Sequence, residues 1–130
     1  MSDAYQAGLA TRKQVMGEDF VAQALAKATP FTQPIQEHIT RAAWGDVWQR
    51  PGLDLKTRSM ITVALLTALG KQHELKGHVR GALNNGVTPE ELQEILLHVA
   101  VYCGVPTAVE AFRTAGEVVD APTSVGSQKM

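Results

Sequence analysis

Residues 88–104 read Thr-Pro-Glu-Glu-Leu-Gln-Glu-Ile-Leu-Leu-His-Val-Ala-Val-Tyr-Cys-Gly. Thr88 supplies a capping hydroxyl for an orphan backbone N–H, and Pro89 loses nothing at a first helical position that has no acceptor to meet. Glu91, three residues after the cap, can return a bond to the backbone of Thr88 and complete a capping box. Leu92, Ile95, Leu96 and Val99 then recur at helical spacing on one face, and Gly104 stops the run. The stretch is a helix with both ends written into it.

The same punctuation continues on either side. Asn84-Asn85-Gly86 ends a helix running from about Gln72 to Leu83, and Gly70 ends another over Leu55–Leu69 that Asp54 can cap. This fourth helix carries Ile61, Val63, Ala64, Leu65, Leu66 and Ala68, so it reads as apolar around its whole circumference near its end, the central helix with no side facing water. Upstream, helices are expected over Asp3–Met16, stopped by Gly17, from Glu18 to about Ala28, and from near Pro34 to about Trp48, ahead of Arg50-Pro51-Gly52. Downstream, Pro106 opens a seventh helix that fades near Asp120. Strand-like alternation of β-branched residues is missing, so the chain is expected to be all-α, about seven helices in one domain over 1–120. The last ten residues, 121–130, are rich in Pro, Ser, Gly and Thr and are expected to be a disordered tail.

Composition narrows the function. The formal net charge is -1, with 19% charged residues, which provides no field to steer the chain to nucleic acid or an anionic membrane. One cysteine, Cys103, excludes an intrachain disulfide and a CxxC redox pair, and no set of histidines and acids has metal-ligand spacing. Phosphate-binding glycine loops are absent. The apolar stretch from Met60 to Leu69 is too short to span a bilayer, and the start has no secretion-signal core, so a cytoplasmic location is expected.

Two groups of side chains invite chemistry. Glu74 and His78 stand four apart and share a helix face; a carboxylate favours the charged imidazolium, a proton donor near neutral pH. The alternative is a solvated surface pair. Arg41, Trp44 and Trp48 fall at spacings of three and four on the third helix, which keeps them on one stripe, with Arg58 in the first turns of the fourth. The tryptophans suit core packing, an oligomer contact or a pocket wall, and the arginines suit a carboxylate ligand or surface ion pairs. His98 reads as a hydrogen-bonded interior residue, His73 as a surface one, and Cys103 as a buried small apolar residue. His38 has no evident ligand set.

Five strings taken together are more specific than any of these: residues 39–48 (Ile-Thr-Arg-Ala-Ala-Trp-Gly-Asp-Val-Trp), 50–54 (Arg-Pro-Gly-Leu-Asp), 57–59 (Thr-Arg-Ser), 78–86 (His-Val-Arg-Gly-Ala-Leu-Asn-Asn-Gly) and 102–106 (Tyr-Cys-Gly-Val-Pro). In this order the sequence resembles the carboxymuconolactone decarboxylase family over roughly Tyr5 to Asp120. The small thiol peroxidases of the wider family carry CxxCxxxH on one helix; here the histidine matches His78, but Lys71 and Glu74 stand at the cysteine positions, and Ser59 stands near the place of a relay glutamate. Peroxidase chemistry is therefore not expected.

The resemblance implies a helical fold built around a helical hairpin, ring-like homo-oligomers assembled from trimers, often hexamers, and no cofactor. It also implies decarboxylation of a lactone dicarboxylate, 4-carboxymuconolactone, in protocatechuate breakdown, with the substrate acting as its own electron sink. His78 and Glu74 are then the catalytic pair, Arg41, Arg58 and Arg80 bind substrate carboxylates, and Trp44, Trp48 and Tyr102 line the pocket. Rival readings are decarboxylation or isomerisation of a related lactone, and a non-catalytic helical oligomer that binds a small acid.

Overall fold

Seven α-helices and one π-helical segment form the regular structure of residues 2–121, which are the residues described by the computed structural model. They are α1 (Asp3–Met16), α2 (Glu18–Ala26), α3 (Gln33–His38), π1 (Ile39–Val47), α4 (Leu55–Leu69), α5 (Gln72–Asn84), α6 (Pro89–Cys103) and α7 (Val105–Val119). No strand occurs among the described residues, as the missing alternation predicts. The expected tail lies outside them except for Ala121. Backbone contacts divide the chain into two compact units, Met1–Arg58 and Ser59–Met130, with the division falling inside α4.

In the first unit, Ser2 Oγ accepts the Tyr5 N–H at 3.2 Å and starts α1. Val15, Met16, Val21 and Trp44 are buried together, with Leu9, Leu25, Ala43, Trp48 and Leu55 packed around them. α1 lies directly on π1 through two glycines. A methyl group at Gly8 would overlap the Thr40 carbonyl oxygen and the Gly45 amide, and one at Gly45 would overlap the Ala4 carbonyl. Backbone therefore packs on backbone, an approach that only glycine permits.

The expected helix from Pro34 to Trp48 needs correction. It begins at Gln33, keeps α winding only to His38, and continues as nine π-helical residues. The Trp48 N–H reaches back five residues to the Ala43 carbonyl at 2.9 Å, the mark of the wider turn. Nine residues of apolar pattern do not distinguish the two windings, so the sequence reading assigned the commoner one.

In the second unit, Val63, Leu75, Val79, Ala82, Val87, Leu92, Leu96, Ala111 and Ala115 form the core. The capping box of α6 is present on both sides: Thr88 Oγ1 accepts from the Glu91 N–H at 3.0 Å, and Glu91 Oε1 accepts from the Thr88 N–H at 2.9 Å. α6 and α7 pack on each other across one residue, Gly104, whose φ of 109° lies in a region that a side chain would strain. α5 is tied to α7 by the ion pair of Lys76 with Glu117 at 3.3 Å and by Gln72, which donates to Glu110 at 3.2 Å and accepts from Thr114.

α4 departs from its expected role. Its buried residues are Ser59, Val63 and Thr67, while Ile61, Leu65 and Leu69 are 43%, 57% and 67% exposed in the single chain. A helix apolar on all sides gives periodicity no means of choosing which side the fold covers. The polar side is accommodated in part because the Asn85 side chain donates to Ser59 Oγ at 2.9 Å.

Asp54 caps α4 as expected, accepting the Thr57 N–H at 2.8 Å. Hydrogen bonding from Thr57 holds the Asp54 carboxyl below its usual pKa. A depressed folded-state pKa contributes stability that is present above the unfolded value of about 3.9 and lost as pH falls through the folded one. Asp54→Asn keeps an accepting cap without the titration. The variant is expected to lose less stability than the parent between neutral pH and about pH 3 in urea melts; equal losses would remove Asp54 from the acid response.

Candidate active site

α5 carries the catalytic candidates of the second unit. Its buried positions Leu75, Val79 and Ala82 face the core, so Glu74 and His78 occupy the adjoining face, one turn apart. Glu74 is exposed; His78 is half-buried with Nδ1 shut off from solvent. Arg80 is exposed on the same helix, and Tyr102 on α6 is 77% exposed.

The other candidates belong to the first unit. Trp44 and Trp48 stack with ring centroids 4.5 Å apart and planes inclined by 30°, Trp44 being 5% exposed. Arg41 does not share their stripe: π winding carries it to an exposed position, where Nη2 lies 3.4 Å from His38 Nδ1. Arg58 is half-buried with Nε enclosed, and its Nη2 donates to the Arg50 carbonyl at 3.1 Å, so it braces the Arg50-Pro51-Gly52 turn.

Two secondary expectations are corrected. His98 is exposed, its ring 5.0 Å from that of Tyr102, because α6 buries Leu92, Leu96 and Val99 and turns 98 and 102 away from them. Cys103 is exposed at the end of that helix. His73 is exposed as expected. Among the described residues no three His, Cys, Asp or Glu side chains converge on a metal position, and no helix is long and apolar enough to cross a membrane.

The grooves do not follow the predicted residues. One of about 380 Å³ in the second unit is lined by Met60, Glu90, Glu91, Glu94, Ile95 and His98. Its three carboxylates would repel an anionic ligand. Another, about 450 Å³ in the first unit, is lined by Gln6, Leu9, Ala10, Lys13, Gln14 and Glu18 and presents one lysine opposite one glutamate. Neither has the convergent cationic groups that a dicarboxylate needs.

One residue that sequence reasoning passed over is Arg12. It is 5% exposed on α1, its Nη1 donating to Thr40 Oγ1 at 3.1 Å and its Nη2 to Gln36 Oε1 at 3.0 Å. Burial pushes its pKa down. The available signal was weak, an arginine between the helix positions of Gly8 and Val15.

Comparison with known proteins bears on the class. Residues 33–117 match the carboxymuconolactone decarboxylase family. The chain is 50% identical over 120 residues to nitrosuccinic acid decarboxylase npaB of Metarhizium robertsii, covering 89% of this chain and 84% of that protein. It is 46% identical over 114 residues to 4-carboxymuconolactone decarboxylase of Acinetobacter baylyi, covering 88% and 85%. An uncharacterized 15.0 kDa protein of Paracoccus denitrificans is 30% identical over 103 residues, covering 78% and 75%. The class is that of a carboxy-lyase. The chain belongs to the carboxymuconolactone decarboxylase family.

Proposed function

We propose that this protein removes carbon dioxide from a small dicarboxylate whose reacting carbon also carries an electron sink. The first reading is 4-carboxymuconolactone, converted to 3-oxoadipate enol-lactone in protocatechuate breakdown within the cytoplasm. The observation that carries it is the pair of named decarboxylases aligned over most of their length. Their substrates share one skeleton. In 4-carboxymuconolactone a ring carbon bears a carboxylate, a carboxymethyl arm and the unsaturated lactone; in nitrosuccinic acid a carbon bears a carboxylate, a carboxymethyl arm and a nitro group. The 50% identity to the nitrosuccinic acid enzyme makes that acid the second reading.

The chemistry is common to both. The bond to the departing carboxylate breaks, and its electron pair moves to the lactone carbonyl oxygen through the ring double bond, or to a nitro oxygen. A proton is then added at carbon, next to the lactone carbonyl in the first case and at the nitro-bearing carbon in the second. The protein must clamp the retained arm, donate to the developing oxyanion and deliver the proton. A positioned oxyanion donor contributes about 3 kcal/mol, and general acid catalysis roughly 10²- to 10⁴-fold.

In this reading His78 is the proton donor and Glu74 orients it or shares the proton; in the reverse assignment a protonated Glu74 is the acid and His78 the oxyanion donor, which requires that Glu74, exposed in the single chain, be covered in the assembly. Arg41, Arg58 and Arg80 bind carboxylates, and Trp44, Trp48 and Tyr102 form the apolar wall. The test is direct: purified protein is incubated separately with 4-carboxymuconolactone and nitrosuccinic acid, and carbon dioxide release is followed. Turnover of the lactone at least about tenfold more efficient, in kcat/KM, supports the first reading, and the opposite ratio the second. Release from neither would favour a binding module.

A homo-oligomer built from trimers, with the hexamer as first expectation, belongs to the same proposal. Ile61, Leu65 and Leu69 on α4, Leu97 and Val101 on α6, and Val105, Val109 and Phe112 on α7 form exposed apolar stripes at helical spacing. Stripes of this kind mark interaction faces. Light scattering is expected to give a mass that is a multiple of three chains of 14.0 kDa. A single-chain mass at micromolar concentration would remove the oligomer.

A further inference from the structure

We infer that Arg12, Thr40 and Gln36 form a positioning lock that holds the chain where α winding gives way to π winding, and so sets where Arg41 and the Trp44–Trp48 stack stand. The change of winding occurs at Ile39. There the Gln36 carbonyl accepts twice, from the Ile39 N–H that ends α3 and from the Thr40 hydroxyl at 2.7 Å. A threonine that bonds back to the preceding turn loosens regular winding. Thr40 is fully buried, and the same oxygen that donates to Gln36 accepts from Arg12 Nη1 at 3.1 Å. The second arm of the guanidinium holds the Gln36 side chain at 3.0 Å. One planar fork thus spans the backbone step from 36 to 40, a geometry an ammonium group cannot reproduce.

The cost of this arrangement argues that it has a purpose beyond packing. Arg12 is buried against two neutral acceptors, and among the described residues no carboxylate lies at ion-pair distance from it. An apolar side chain would fill the same space without desolvating a cation. What an apolar residue would not do is fix the hydroxyl of Thr40. Arg41 follows Thr40 directly and stands exposed, while Trp44 is drawn into the core and stacks on Trp48. The three residues of the lock touch no substrate in this account; they act through Arg41 and the tryptophans, whose substrate role rests on the proposed function.

The test uses the purified 130-residue chain in three variants: Thr40→Val, which keeps shape without the hydroxyl, Thr40→Ser, which keeps the hydroxyl, and Arg12→Lys, which keeps charge without the fork. The circular-dichroism signal of the stacked indoles is read beside kcat and KM. Thr40→Val and Arg12→Lys are expected to lose at least about half of the indole signal and to raise KM about tenfold with a smaller effect on kcat, and Thr40→Ser to restore both. Loss of the indole signal with KM unchanged would uphold the lock and remove the tryptophans from the substrate wall. Parental indole signal in folded Thr40→Val overturns the inference. Should that variant not fold, parental signal in Arg12→Lys does so.

Discussion

His78→Ala is expected to lower kcat by roughly 10²-fold or more while KM changes little, the size of effect that one proton donor or oxyanion partner produces. The expectation rests on where α5 holds the ring. Leu75, Val79 and Ala82 anchor the helix in the core, and His78 is half-buried beside them with its Nδ1 enclosed. Deleting the ring removes an interaction that strengthens as charge develops, which lowers turnover more than binding. Glu74→Gln keeps shape and hydrogen bonding without the charge and is expected to act in the same direction with a smaller effect. Arg58→Ala is expected to raise KM, but Arg58 also braces the Arg50 carbonyl, so the change also loosens the turn ahead of α4. The measurement is turnover of folded variants from about pH 5 to about pH 9, where an imidazole titrates. Near-parental rates in both His78→Ala and Glu74→Gln would remove the two residues from the catalytic assignment.

The second large effect is on folding. Gly8→Ala is expected to destabilise the protein by about 3 kcal/mol, at the upper end of overpacking, because the added methyl meets backbone rather than a side chain that can rotate away. The Thr40 carbonyl and the Gly45 amide are both fixed within π1, and α1 can relieve the overlap only by moving off the segment it packs on. Gly52→Ala is the control: its site is open, and its effect is expected to stay within about 0.5 kcal/mol. Urea midpoints of the two variants decide the matter, and a parental midpoint for Gly8→Ala would mean that α1 and π1 are not in backbone contact. Because Gly8 lies one turn before Arg12, the same variant is also expected to disturb the indole stack.

Helix ends were legible because they are local. The Thr88–Glu91 box and the Asp54 cap involve groups three residues apart, and their geometry in the fold is the one that their chemistry requires. That Glu74 and His78 share a helix face was legible for the same reason, since a spacing of four puts two residues on one face of any α-helix. Arg41 was misplaced on the stripe of Trp44 because that inference assumed an α turn where the chain makes a wider one. His98 and Cys103 were assigned to the interior by residue type, whereas the fold turns their part of α6 outward.

By itself the sequence determined the all-helical class, the helix boundaries to within a few residues, and the strings that place the chain in its family. These depend on caps, breakers and residue types that act over one or two turns. Only the tertiary structure decided which side of α4 is covered, that residues 39–47 wind as a π-helix, and that Arg12 is buried beneath them. Each of those is settled by groups far apart in the chain. Gly8 and Arg12 meet Gln36 and Thr40 only after α1 packs on π1, and no local pattern records that the two approach closely enough to exclude a methyl group.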